Sequence, residues 1–241
     1  MLRISTEGRA LLSRELSNIE KRQLPFATMT ALNRTAALVK SAEVDAMKSS
    51  FDRPTRWTLN SLFIKYAKKS ALESRVWVKD YASKGQAPTR WLLPEVMGGR
   101  RKHKGSEGLL AARGILPAGQ FLMPGKGMTL DASGNVSRGR VQKILSGLGA
   151  QRDKYANSTD SKRSKANSKR FFVLGRGANA IGIAERVGTK GNKVVNMLFA
   201  FGKSPSYSSL FDFFGIANRE VRKHLPVEAE KAIREAVLSA K

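Results

Sequence analysis

Apolar and polar positions recur at helical spacing in two long stretches of the chain and at strand spacing in several short ones. From Phe26 the series Met29, Leu32, Ala36, Val39, Ala42 and Ala46 keeps steps of three and four. It predicts a helix opened by Pro25 and running to about Ser49, with a narrow stripe of small residues. That stripe faces either a sheet or a neighbouring copy of itself. Ahead of it, Ser5 or Thr6 caps a shorter predicted helix, with Glu7 in its first turn and Leu12, Leu16 and Ile19 on one side. Towards the other end, Phe211, Phe214, Ala217, Val221 and Leu225 predict a helix from Ser209 with an aromatic first turn. Ala229, Ala232, Ile233 and Val237 continue the pattern past Pro226, which kinks this helix or begins a second one.

The strand signals lie between these helices. After the break at Asp52-Arg53-Pro54-Thr55, residues 59–66 and 71–78 read as two strands turned at Lys68-Lys69. Residues 171–174, 181–187 and 194–201 read as an antiparallel meander, the last two joined by a turn over residues 189–192. The run 194–201, closed by Gly202 and Pro205, is rich in β-branched and aromatic residues and reads as a buried strand that organises the fold. These patterns predict an α+β fold: a mainly antiparallel sheet packed by a long N-terminal helix and a C-terminal helix, with a long inserted middle region. Residues 1–84 and 171–241 are expected to form one core domain around an inserted, basic, loop-rich stretch at 85–170.

Within that middle region, residues 89–93 fit either a short helix or a strand. Residues 106–113 read as a short helix ended by Gly114 and, three residues later, Pro117. Asp131-Ala132-Ser133-Gly134-Asn135 marks a tight turn between short strands, and Ser137 caps a helix over 138–148 bearing Val141, Ile144, Leu145 and Leu148. Residues 151–170 hold almost no large apolar side chain beyond Tyr155, so they form either a flexible loop or an arm that orders on a partner.

Charge changes this picture more than any other property. Of 241 residues, 44 are Lys or Arg and 19 are Asp or Glu, a net charge of +25, while a hydrophobic fraction of 41% still suffices for a folded core. Such a field attracts nucleic acid or another polyanionic surface. Two segments concentrate it: the glycine-bounded loop with Arg100, Arg101, Lys102 and Lys104, and the polar tract with Arg152, Lys154, Lys162, Arg163, Lys165, Lys169 and Arg170. These eleven side chains are the candidate contacts to DNA or to an acidic partner.

Catalytic chemistry finds little support. The absence of cysteine excludes disulfides, thiolate catalysis and Cys-based zinc sites. His103 and His224 stand without a spaced pair of acids, so neither a metal centre nor a general acid/base pair is expected, and no cofactor. Gly175-Arg176-Gly177-Ala178-Asn179-Ala180 matches a G-x-G-x-x-A phosphate loop, but a strand pattern follows it where a helix N-terminus is required. No helix-turn-helix, zinc-finger or RNA-recognition signature is present. The first sixteen residues mix charges with apolar side chains, unlike a signal peptide, and a cytoplasmic setting is expected.

The segment LPFATMTALNRTAALVKSAEVDAM at 24–47, the stretch SRGRVQKILSGL after the turn at 131–135, and the ending SPSYSSLFDFFGIANREVRKHLPVEAEKAIREAV together resemble the minor tail protein Z family of tailed phages. The resemblance covers the two ends and part of the middle, and the chain departs from shorter members over 85–170. It implies a virion protein that completes the head-proximal end of the tail or joins head to tail, as a homo-oligomeric ring around the DNA channel and without catalytic residues. It further implies neck, connector or tail proteins and passing viral DNA as partners, with assembly in the host cytoplasm. The alternative is a sequence-independent nucleic-acid-binding protein without a virion role.

Overall fold

Pro25 stands in the first turn of helix α1 (Leu24–Ser50), where its missing N–H costs nothing, and the helix then runs for 27 residues. The computed structural model describes residues 23–83, 85–189 and 192–239, and the fold is α+β. The helix expected between Ser5 and Ile19 lies outside the described residues, as do Lys190 and Gly191 of the expected turn. After α1 come α2 (Arg56–Leu59), β1 (Leu62–Lys65), β2 (Arg75–Val78), α3 (Thr89–Met97), β3 (Gly99–Arg100), α4 (Gly105–Ala112) and β4 (Gln120–Pro124). There follow α5 (Arg138–Gly147), α6 (Lys165–Arg170), β5 (Phe171–Leu174), β6 (Gly182–Thr189), β7 (Asn192–Lys203), β8 (Ser206–Tyr207) and α7 (Phe213–Leu238). Every strand pairing is antiparallel. The chain divides into two compact units: residues up to Val96 together with those from Ser209 onward, and the inserted Met97–Ser208.

In the first unit α1 lies along α7. Their seam is made of Ala27, Ala31, Ala232 and Ala236, each 2% exposed, because side chains this small let two helix backbones approach closely. Arg34 closes the seam from outside with two bonds to Glu235, at 2.9 and 3.2 Å. Further along, Met47 packs with Leu62, Val78, Leu92, Val96, Phe211 and Phe213 around the β1–β2 hairpin. Asn33 fixes that hairpin's turn to α1, donating to the Ala67 carbonyl and accepting the Ala67 N–H. The same face of α1 buries Thr35 and Glu43, whose side-chain oxygens have no hydrogen-bond partner among the described residues. At the junction with the insert, Ser209 Oγ donates to the Val96 carbonyl at 2.7 Å, and the N–H groups of Leu210 and Phe211 both donate to the Glu95 carbonyl.

The second unit holds a four-stranded sheet in the order β4-β7-β6-β5. Its core of Leu110, Leu116, Met128, Ile144, Leu145, Phe171, Ile183, Leu198 and Phe199 joins this sheet to α4 and α5. The meander β5-β6-β7 forms as expected, and β4 extends it on the β7 side. Leu198 is the extra residue of a bulge, since Ile183 pairs with Phe199 but Ala184 with Met197. A second, two-stranded pairing joins β3 to β8.

The expectations need several corrections. The meander is grouped with the middle region rather than with the N-terminal helices, because β4 supplies its fourth strand and α4 and α5 its cover. Of the run 194–201 only Leu198 and Phe199 are buried; Val194 and Val195 are 56% and 52% exposed, since neither β4 nor β5 reaches that end of β7. The C-terminal helix starts at Phe213, with Phe211 buried just ahead of it, and continues unbroken through Pro226. It buries Ala232 and Ala236 and exposes Phe214, Val221, Ile233 and Val237, because a close approach to α1 selects the alanines. Residues 89–97 settle as a helix. The turn at 131–135 leads from β4 into α5 rather than into another strand, with Asp131 accepting the N–H groups of Ser133 and Asn135. The tract 151–170 takes defined structure, with a single 3-10 turn at Lys154–Ala156 and then α6, although neither element buries a residue.

Candidate polyanion interface

Residues 97–208 carry 21 Lys and Arg against five acids, so the insert holds most of the chain's net charge of +25. Two of those five acids are turned inward. Glu107 is completely buried at the start of α4. Its carboxylate accepts both Arg101 Nη atoms at 2.6 Å, the Lys104 N–H at 2.6 Å and the Leu122 N–H at 2.8 Å. Burial pushes the Glu107 carboxyl up, but the Arg101 hydrogen bonds, the two backbone N–H groups and the guanidinium charge outweigh it and hold its pKa below the ordinary value. The Arg101 guanidinium also lies 4.8 Å from the Phe121 ring centre, and the His103 ring meets Phe121 edge-on while Nε2 donates to the Gln120 carbonyl.

Glu185 on β6 is the second buried acid, with its side chain 4% exposed, and it pairs with Arg140 and Arg170 together. Those two guanidiniums lie 5.4 and 5.9 Å from the Phe171 ring centre. A buried carboxylate of this kind is tolerated because several charge-assisted bonds replace its water. The outward consequence is electrostatic: Asp131, Asp153 and Asp160 are the only acids of the insert at the surface.

The expected contact residues therefore separate into two kinds. Arg101 is engaged inwardly, with its side chain 10% exposed, and Arg170 is half committed to Glu185. Arg100, Lys102, Lys104, Arg152, Lys154, Lys162, Arg163, Lys165 and Lys169 are exposed. The first cluster rests on β4 through the Arg101–Glu107–Leu122 bonds. The second rests on α5: Ser146 Oγ donates to the Ala156 carbonyl, the Ser158 N–H donates to the Ser146 carbonyl, and Asn167 Nδ2 donates to the Lys143 carbonyl and Ser158 Oγ. Thr159, Ser161 and Ser164 hold the intervening bend by mutual hydroxyl bonds of 2.9–3.1 Å, and the Thr159 N–H donates to Ser164 Oγ at 2.8 Å. The Ser/Asn/Lys composition that argued for flexibility is thus also what orders the tract, by polar bonds in place of apolar burial.

Two contributors escaped the sequence reading. Tyr155 is 84% exposed, with Lys154 Nζ 5.1 Å from its ring centre, so the tract offers an aromatic face among its cations. Arg186, 3.8 Å from the Phe172 ring centre, belongs to a strand and so stood outside every charge run. Gly175–Ala180 forms the β5–β6 connection, with a 3-10 turn at Gly177–Asn179 and a strand beyond it, so no helix N-terminus faces the glycines. At Gly175, φ is +85° and a Cβ would lie 2.2 Å from the Asn179 carbonyl oxygen, which gives the glycine a purely steric reason. Among the described residues no group of three or more His, Asp or Glu side chains could hold a metal ion, and no helix is long and apolar enough to cross a membrane. No protein-family model, curated protein or solved structure matches the chain.

Proposed function

We propose that the protein is a structural, non-enzymatic component of a tailed-phage virion. In this reading it completes the head-proximal end of the tail or joins head to tail, as a ring of copies around the DNA channel. Its Met97–Ser208 unit touches DNA or an acidic neighbouring ring. The supporting observation is the composition of that unit's surface: 21 cations against five acids, two of which are buried and neutralised from within. Contacts from Lys and Arg to phosphate need no base recognition, which suits a protein past which any genome sequence must move. Ring closure would repeat each cationic cluster around the axis and turn it into a collar.

Particle imaging of the full-length protein beside the products of its neighbouring genes tests this. A ring of defined symmetry, with segments 100–104 and 152–170 turned to the channel or to an acidic neighbour, is the expected result. A protein that binds duplex DNA in a salt-sensitive way but never assembles with tail or connector proteins overturns the virion role in favour of a free nucleic-acid-binding protein. A ring with both segments on its outer rim and no acidic surface opposite overturns the contact itself.

A further inference from the structure

The exposed half of the β6–β7 hairpin is the part of the insert that internal packing leaves unexplained. Burial along β6 switches abruptly: Gly182 to Glu185 are buried and Arg186 to Thr189 are exposed. Along β7 the switch runs the other way, with Asn192 to Val195 exposed and burial reached only at Leu198. The cause is in the pairing. Strand β5 stops at the Phe171–Glu185 pair, and β4 stops at Pro124–Phe199, followed only by the N–H bonds of Gly125 to Leu198 and Gly127 to Met197. Beyond them the pairs Arg186–Val195, Val187–Val194, Gly188–Lys193 and Thr189–Asn192 have no third strand beside them among the described residues. They form a two-stranded ribbon that stands out from the sheet.

Side chains alternate across a ribbon, so Val187 and Val194 share one face while Arg186, Val195 and Lys193 share the other. The valines are 38%, 56% and 52% exposed at positions 187, 194 and 195. A ribbon with apolar side chains on both faces gains nothing from solvent. Its chemistry selects the partner. From Arg186 to Asn196 there is no acid, and the described charged residues are the cations Arg186 and Lys193. The root is held firmly: Arg186 stacks 3.8 Å from the Phe172 ring centre and donates to the Lys169 carbonyl at 3.0 Å, beside the basic tract.

We infer that this ribbon, Arg186–Thr189 paired with Asn192–Val195, inserts into the major groove of duplex DNA. The inference rests on the DNA-contact reading above and names the element that makes the contact. A major groove about 12 Å wide admits a two-stranded ribbon, and its floor presents thymine methyl groups to apolar side chains while its walls present phosphates to cations. Four residue pairs reach roughly 13 Å, more than the groove's depth of about 8.5 Å. Gly188 presents no side chain: its φ is +111°, and a Cβ there would lie 2.1 Å from the Asn192 carbonyl oxygen. A neutral protein surface would meet the valines equally well but would leave the uniformly positive charge unmatched.

The test measures binding of the full-length protein to a short duplex of mixed sequence by fluorescence anisotropy over a range of salt. Val194→Asp with Val195→Asp is expected to raise Kd about tenfold or more, because it sets two acids against a polyanion. Melting should be unchanged, since both positions are more than half exposed. A second arm needs no variant: bulky substituents on cytosine C5, which fill the major groove, should weaken the wild-type complex, and a saturating minor-groove ligand should leave it unchanged. Unaltered affinity of the double variant or for the C5-substituted duplex, or competition by the minor-groove ligand instead, overturns the inference. So does a double variant that loses self-association while binding DNA like the wild type, which would assign the ribbon to a second copy. Wild-type protein that fails to bind duplex DNA at any salt would remove the DNA-contact reading as well, whereas wild-type binding with an indifferent ribbon removes this inference alone.

Discussion

Glu43 places a pH-dependent cost on the first unit. Its side chain is fully buried on α1 and neither carboxyl oxygen has a hydrogen-bond partner among the described residues. Burial pushes its pKa up, the Asp212 charge adds to this, and Arg219 offsets part of it; the result is about 8 against an ordinary 4.5. At neutral pH the folded protein therefore keeps a proton on Glu43 that the unfolded chain releases. Because the folded pKa is the raised one, the full benefit of folding is present below pH 4.5 and is lost as pH rises towards 8, by about 1.4 kcal/mol per pH unit. Glu43→Gln keeps the shape and abolishes the titration. Its melting temperature should match the wild type near pH 4.5 and exceed it by a widening margin up to pH 8. Parallel melting curves across that range would show that Glu43 is already ionised in the fold. Glu107 behaves in the opposite sense, since its pKa is lowered: its contribution is present above the ordinary carboxylate value and lost as pH falls.

Among the elements, the α1–α7 pair shows what periodicity reveals and what it conceals. Steps of three and four place α1 to within two residues at each end, yet the buried face is Ala27, Ala31, Thr35, Ala36, Val39, Glu43 and Met47, rotated from the stripe through Met29, Leu32, Ala42 and Ala46. A hydrophobic pattern ranks Met and Leu above Ala, whereas a close helix crossing ranks by size, and Thr35 and Glu43 are invisible to it. The same limit explains β7, whose valines look buried until its neighbours' lengths are known. The cationic segments were legible as composition; the Arg101–Glu107 pair was not, because its meaning depends on β4 arriving beside α4 to supply the Leu122 N–H. Since the seam works by smallness, Ala31→Leu should destabilise by about 1–3 kcal/mol through overpacking. The exposed Val237→Ala on α7 should stay within about 0.5 kcal/mol. Denaturant midpoints compare the two, and an Ala31→Leu variant as stable as wild type would mean that the seam has room to spare.

At the scale of the whole molecule, the first unit is interrupted: its two halves meet only after Met97–Ser208 has been traversed. Arg34 and Glu235, which bond across the α1–α7 seam, stand 201 positions apart. The meander β5-β6-β7 of the insert is built differently, from hairpins between successive strands, while β3 and β4 pair with β8 and β7 from far along the chain. Folding the insert first spares the seam little closure entropy, only about 0.6 kcal/mol for halving a loop, so locality of contacts sets the order of events. In refolding with pulsed hydrogen exchange, amides of β6 and β7 should gain protection before those of α1 and α7; protection of the helices first would contradict this. The Ser209–Val96 and Phe211–Glu95 bonds have a consequence for synthesis as well. On the ribosome, α1 emerges with its alanine face uncovered, because Ala232 and Ala236 lie on α7, and stays so while the whole insert is translated. Its partner α7 follows directly on the returning segment 209–211, which bonds to the end of α3. The knot of bonds at residues 95–96 and 209–211 is thus the point at which an early helix is handed to a late one, and a nascent chain arrested before it would expose the face that most needs a chaperone.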